Sequence, residues 1–129
     1  MNPLVIEETG STPSIIFDPE SETLYIAGES YPENSFDFYA PVVDWLKKTL
    51  HRSSKFTLDI SITYMNSSST KCLLDIMDIM EDAFSSAADI RIIWRYDKEN
   101  PRSYEMAEDF REEVTFPFEI EAIKKMGYA

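Results

Sequence analysis

The apolar positions of this chain change period several times, and each change marks an element. Phe56, Leu58, Ile60, Ile62 and Tyr64 alternate with Thr57, Asp59, Ser61 and Thr63, which predicts a strand with all five apolar residues on one face. After Asn66 the period lengthens. Leu73, Ile76, Met77, Met80 and Phe84, with Cys72, Ile79 and Ala83 beside them, recur at helical spacing and predict a wide apolar helix face. Asp75, Asp78 and Asp82 form an acidic stripe opposite. The same helical period runs through Phe38, Tyr39, Val42, Val43, Leu46 and Leu50. A loop of Tyr31-Pro32-Glu33-Asn34-Ser35 precedes it and ends in good N-cap residues, and Pro41 falls in the first turn or two, where its missing N–H disrupts least.

Short β-rich runs at residues 14–18 and 23–28 flank Pro19-Glu20-Ser21-Glu22 and predict a hairpin. Residues 89–96 form another strand, and Lys98-Glu99-Asn100-Pro101 punctuates before a short helix from about Ser103 to Glu113. Residues 116–123 close the pattern as a strand at a sheet edge, because Pro117 cannot donate to a central ladder. Strand–helix–strand units imply right-handed parallel crossovers. The expected fold is α/β: a single domain over residues 1–129, with a mixed sheet of about five strands and helices mainly on one face.

Composition narrows the function classes. The 129 residues carry 12 Lys plus Arg against 24 Asp plus Glu, a formal net charge of −12. Such a balance opposes nucleic-acid binding and attachment to an anionic membrane, both of which need a basic footprint. It leaves room for a basic partner. Three glycines make a Gly-rich phosphate-cradling loop hard to build. Cys72 is the single cysteine, so no internal disulfide can form, and a reducing compartment is expected. The first residues, Met1-Asn2-Pro3-Leu4-Val5-Ile6-Glu7-Glu8, lack the basic lead and apolar run of a signal peptide, and no stretch approaches a membrane span. A cytoplasmic location is expected.

Candidate chemistry concentrates at Tyr64-Met65-Asn66-Ser67-Ser68-Ser69-Thr70-Lys71, which leaves the clearest strand and opens the clearest helix. Outside the carboxyl end of a strand is where ligands collect in open α/β sheets. A helix N-terminus adds free N–H groups and about half a positive charge, favourable to a phosphate. Lys71 is one turn further on and leans back toward Ser67. The same residues also make an ordinary N-cap, so the pattern alone leaves cap and phosphosite both open. Other candidates are weaker. His51, the sole histidine, lies near a helix end and suits a C-terminal cation site. Cys72, Trp45 and Trp94 read as core. The stripe Asp75, Asp78 and Asp82 lacks a loop supplying convergent oxygens for Mg²⁺ or Ca²⁺. An acidic metal-dependent enzyme and a constitutive scaffold remain the competing functions.

The segment from Tyr64 to Ser69, followed by Lys71 and an apolar-acidic helix, resembles the phosphorylation segment of the SiaC family of bacterial regulatory phosphoproteins. The blocks Gly28-Glu29-Ser30-Tyr31-Pro32-Glu33-Asn34-Ser35, Ile93-Trp94-Arg95-Tyr96-Asp97, Ala107-Glu108-Asp109-Phe110-Arg111-Glu112 and Phe116-Pro117-Phe118 extend the resemblance over nearly the whole chain. It implies a fold similar to the anti-sigma-factor antagonist SpoIIAA and the STAS domains. It also implies a non-enzymatic switch, needing no cofactor, that is phosphorylated on the residue after the motif Asn by a dedicated Ser/Thr kinase and restored by a phosphatase. The unphosphorylated form would bind and activate an effector such as a diguanylate cyclase, a role in cyclic di-GMP signalling. Carried over, the acceptor is Ser67, with Ser68 and Ser69 as neighbours. Ser stands where the best-understood member has Thr. Asn66, Lys71, Tyr31, Glu33 and Asn34 would form the phosphate environment or docking surface.

Overall fold

A computed structural model describes residues 3–50 and 55–123. Its strands are β1 (Val5–Ile6), β2 (Ser14–Asp18), β3 (Thr23–Ser30), β4 (Lys55–Met65), β5 (Asp89–Asp97) and β6 (Phe118–Ile123); its helices are α1 (Ser35–Leu50), α2 (Ser67–Ser85) and α3 (Pro101–Arg111). The strands form one sheet in sequential order from β1 to β6. The first two pairings are antiparallel and the remaining three parallel. The five strands expected from the pattern are all present. The addition is β1, two residues long and too short to show a period.

The side on which the helices lie follows from handedness. From β3 to β6 each crossover steps in the same direction along the sheet, and right-handed crossovers that do so place their helices on one face. Accordingly Val42 and Leu46 of α1, Leu73, Ile76 and Met80 of α2, and Ala107 and Phe110 of α3 share one core with Leu24, Ile26, Leu58, Ile60, Ile92 and Trp94 of the sheet. Trp45 and Trp94 are both buried. Trp94 stacks on Phe110 at 4.9 Å between ring centroids and on Phe118 at 6.2 Å, so one indole ties α3 and β6 to the sheet.

The opposite face is bare of helices among the described residues, and it carries polar pairs where the core face carries aliphatics. Arg95 Nε and Nη2 donate to the Asp59 carboxylate at 3.1 Å each. Arg95 Nη1 also lies 3.7 Å from Glu121, so the guanidinium bridges β4 to β6 across β5. The hydrogen bond to Asp59 pushes the Arg95 pKa above its ordinary value, against the opposing effect of burial.

Two local details depart from the pattern. Tyr64 does not continue the buried row. The register pairs Gly28 with Ile62 but Glu29 with Tyr64, leaving Thr63 as the extra residue of a β-bulge. The bulge turns Met65 inward and Tyr64 outward to 53 % exposure. Gly28 suits this place, because its φ of +117° is accessible to glycine and because Glu8 packs where a Cβ would project. In α3, Pro101 opens the helix instead of preceding it by two residues, since a first-turn residue needs no N–H partner. In α1, Pro41 sits in the second turn as expected, exposed, within a helix secured at its start by Asn34. His51 lies outside the described residues.

Candidate functional site

The carboxyl ends of β3 and β4 lie side by side, so α1 and α2, which follow them, begin next to each other. Asn66 caps α2 from an extended conformation, its Oδ1 accepting from Ser69 N at 2.9 Å. Asn34 does the same for α1: its Oδ1 accepts from Asp37 N at 3.1 Å, and its Nδ2 donates to the Asp37 carboxylate at 2.9 Å. The positive ends of two helix dipoles therefore face one small region.

Hydroxyl groups fill the space between them. Tyr39 OH lies 2.6 Å from Ser30 Oγ, Ser30 Oγ donates to Ser69 Oγ at 2.8 Å, and Ser69 Oγ lies 3.1 Å from Ser35 Oγ. Ser35 Oγ is 2.8 Å from Ser68 Oγ, which donates to Asn66 Oδ1 at 3.3 Å. Each hydroxyl has one proton to give. Because Ser30 gives its proton to Ser69, Tyr39 must donate to Ser30, and at the far end Asn66 Oδ1 accepts from Ser68 and, at 3.4 Å, from Ser35. Ser30, Ser35 and Ser69 are buried, and each buried hydroxyl is satisfied by another. Burial pushes Tyr39 up to about 12, with the Ser30 hydrogen bond opposing the rise and Cys72 adding slightly to it.

A pH dependence follows. Tyr39 in the fold holds its proton more tightly than a free phenol, so its contribution is intact below the ordinary value of 10.0 and is lost as pH climbs from there toward about 12. The loss amounts to about 2–3 kcal/mol for a shift of this size. Urea midpoints measured across this range should fall more steeply for the wild type than for Tyr39→Phe.

Ser67 stands apart from this network. At the first position of α2 it is exposed, and its hydroxyl has no hydrogen-bond partner among the described residues. Thr70, the remaining hydroxyl of the segment, donates to the Asn66 carbonyl at 3.2 Å. Exposed aromatic rings are carried by the segments that adjoin the start of α2. Tyr64 packs edge-to-face on Tyr31 at 5.6 Å, and Phe36 lies across the mouth of the two helices at 51 % exposure. Phe36 also walls a cleft of about 360 Å³ between α1 and α2, with Tyr39 and Cys72 in its lining. Lys71 Nζ lies 6.0 Å from the Phe36 ring centroid, within cation–π range.

The other expected residues fall in several places. Tyr31 donates from its phenol to the Gly10 carbonyl at 2.8 Å, Asn34 is the cap of α1, and Glu33 is exposed. Cys72 is buried, and burial followed by the Asp75 charge pushes its thiol up. Asp75, Asp78 and Asp82 are spread along the exposed side of α2, and no group of three His, Cys, Asp or Glu side chains among the described residues is arranged to hold a metal ion. Ser30, Ser35, Phe36 and Tyr39 escape the pattern reading. A signal for them exists: Ser30 and Ser35 bracket the loop before α1, and hydroxyls adjoining a buried helix must find partners.

Comparison with known proteins places this geometry. The sequence model described as SiaC family regulatory phosphoprotein matches residues 6–123. The chain belongs to the SiaC family. It is 40 % identical over 123 residues to an uncharacterised protein of Pseudomonas aeruginosa, covering 95 % of this chain and 98 % of the relative. The crystal structure of apo-SiaC from Pseudomonas aeruginosa superposes with a TM-score of 0.89 at 39 % identity, over 95 % of this chain and all of the other. A chain in the crystal structure of the diguanylate cyclase SiaD in complex with its activator SiaC, from the same organism, gives a TM-score of 0.89 at 40 % identity, covering 93 % of this chain and 99 % of that one. This protein is thus a member of a regulatory phosphoprotein family, and no helix among its described residues is long and apolar enough to cross a membrane.

Proposed function

We propose that this chain is a phosphorylation-controlled adaptor with no catalytic role of its own: unmodified, it docks on and activates an effector, and phosphate on Ser67 prevents docking. The observation that carries the reading is the contrast within Asn66–Thr70. Ser68, Ser69 and Thr70 spend their hydroxyls on hydrogen bonds, whereas the Ser67 hydroxyl is exposed and unengaged among the described residues, at a helix start whose adjoining segments carry exposed aromatic rings. A free hydroxyl at a helix N-terminus is open to a kinase, and the phosphate it would receive meets helix dipoles that stabilise it.

These rings suit docking. Tyr31, Phe36 and Tyr64 are 40 %, 51 % and 53 % exposed, and exposed aromatics of this kind anchor protein interfaces. A phosphate on Ser67, carrying roughly −1.5 to −2 charges, would have to be desolvated against the partner and would repel acidic groups there. Since a SiaC relative of 40 % identity activates a diguanylate cyclase in the complex that carries its name, a diguanylate cyclase is the effector proposed here. The same cytoplasmic compartment would hold the Ser/Thr kinase and phosphatase that set the state. Capture of the cyclase by Ser67→Ala and by Ser67→Asp tests the proposal; capture by the alanine variant alone supports it, and equal capture refutes it.

A further inference from the structure

Three adjacent serines pose a selectivity problem that the hydroxyl network answers. Resting on the phosphoswitch reading above, we propose that Ser35, the first residue of α1, is the specificity-determining residue that confines phosphorylation to Ser67, by holding the Ser68 and Ser69 hydroxyls inside a closed hydrogen-bond file.

The chemistry of the transfer shows why engagement matters. Serine Oγ attacks the terminal phosphorus of a nucleoside triphosphate held by the kinase; the Oγ–P bond forms, the bond to the bridging oxygen breaks, and the nucleoside diphosphate leaves. The serine proton passes to a base of the kinase. The acceptor oxygen must therefore aim a lone pair at phosphorus and its proton at that base. Ser69 Oγ can do neither: it is 0 % exposed, accepts from Ser30 and lies 3.1 Å from Ser35. Ser68 is half-buried, so burial alone does not protect it. Its protection comes from two contacts, Ser35 Oγ at 2.8 Å and Asn66 Oδ1 at 3.3 Å. Asn66 is needed as the cap of α2, which leaves Ser35 as the separable element.

Position in the fold gives Ser35 this leverage. It lies 33 residues before Ser68 in sequence yet meets it directly, because the parallel pairing of β3 and β4 brings the starts of α1 and α2 together. Ser35 Oγ touches Ser68 Oγ, Ser69 Oγ and Asn66 Oδ1. No other side chain of the file contacts all three. Its loss would leave Ser68 with only the longer bond to Asn66 and open its Oγ lone pair, while Ser69 stays bonded to Ser30 and its backbone N–H to Asn66.

The test maps phosphate on protein purified from its native cells, where the kinase is present, for wild type, Ser67→Ala, the double variant Ser35→Ala/Ser67→Ala, and Ser35→Thr/Ser67→Ala. The proposal expects phosphate on Ser67 in the wild type and none in Ser67→Ala. In the double variant, phosphate should appear on Ser68, where Ser67→Ala carries none, because one of the two hydrogen bonds that hold its hydroxyl is gone. Threonine at the same position keeps the hydroxyl and should suppress that gain. Phosphate on Ser68 or Ser69 in Ser67→Ala alone overturns the proposal, and so does a double variant that keeps the native amide NMR spectrum yet gains nothing. Should the double variant unfold, hydroxyl-proton NMR of the wild type decides. Slowly exchanging signals from Tyr39, Ser69 and Ser68 support the closed file, and their absence refutes it. A wild type with no phosphate on any serine instead refutes the phosphoswitch reading itself.

Discussion

Ser67→Asp should lose capture of the effector by roughly 30- to 1,000-fold, the equivalent of about 2–4 kcal/mol for desolvating an unpaired charge in an interface. Ser67→Ala should bind within a few-fold of wild type, because the Ser67 hydroxyl makes no bond within the described fold whose loss would matter. The aspartate variant carries its own control. A carboxylate at the first helical position favours the α2 dipole by about 0.3–1 kcal/mol, so this chain should fold at least as well as wild type. Weak capture by a protein with an undiminished melting temperature is therefore a docking defect. Titration of the effector with each variant, alongside thermal melts, measures both quantities.

The largest effect on stability is expected at Trp94→Ala. The indole is fully buried and joins the Phe110 ring of α3 to the Phe118 ring of β6. Removing a buried aromatic of this size costs about 3–5 kcal/mol through lost transfer energy and the cavity left behind. For a domain of this length that corresponds to a fall of roughly 10–20 °C in Tm. The damage should also be local. Hydrogen exchange should accelerate first in α3 and β6, while the capped starts of α1 and α2, packed against β3 and β4, stay protected. Uniform acceleration, or a fall of less than about 1 kcal/mol, would show that Trp94 does not join these elements as described.

How much of this was legible in the chain depends on range. Strand and helix order are readable because each element carries its own period: the alternation from Phe56 to Ile62 and the helical spacing from Leu73 to Phe84 need no knowledge of neighbours. Departures occur where a distant contact overrides the local pattern. Tyr64 continues the alternation in sequence, yet the bulge against Gly28 and Glu29 reverses it, and only the pairing with β3 reveals that. The contact of the Lys71 ammonium with the Phe36 ring of α1 is likewise invisible from its own helix. The serine run is visible as a helix start. What separates Ser67 from Ser68 and Ser69 is not, because the separating residues, Ser30, Ser35 and Tyr39, come from another strand and another helix.

The central claim is that one hydroxyl, Ser67, decides whether the effector is bound. Its most direct test takes the protein from its native cells, separates the phosphorylated from the unphosphorylated fraction by charge, maps the phosphate, and titrates each fraction against the diguanylate cyclase. The account predicts phosphate on Ser67 and binding by the unphosphorylated fraction alone. Phosphate at another residue, or equal binding by both fractions, would contradict it.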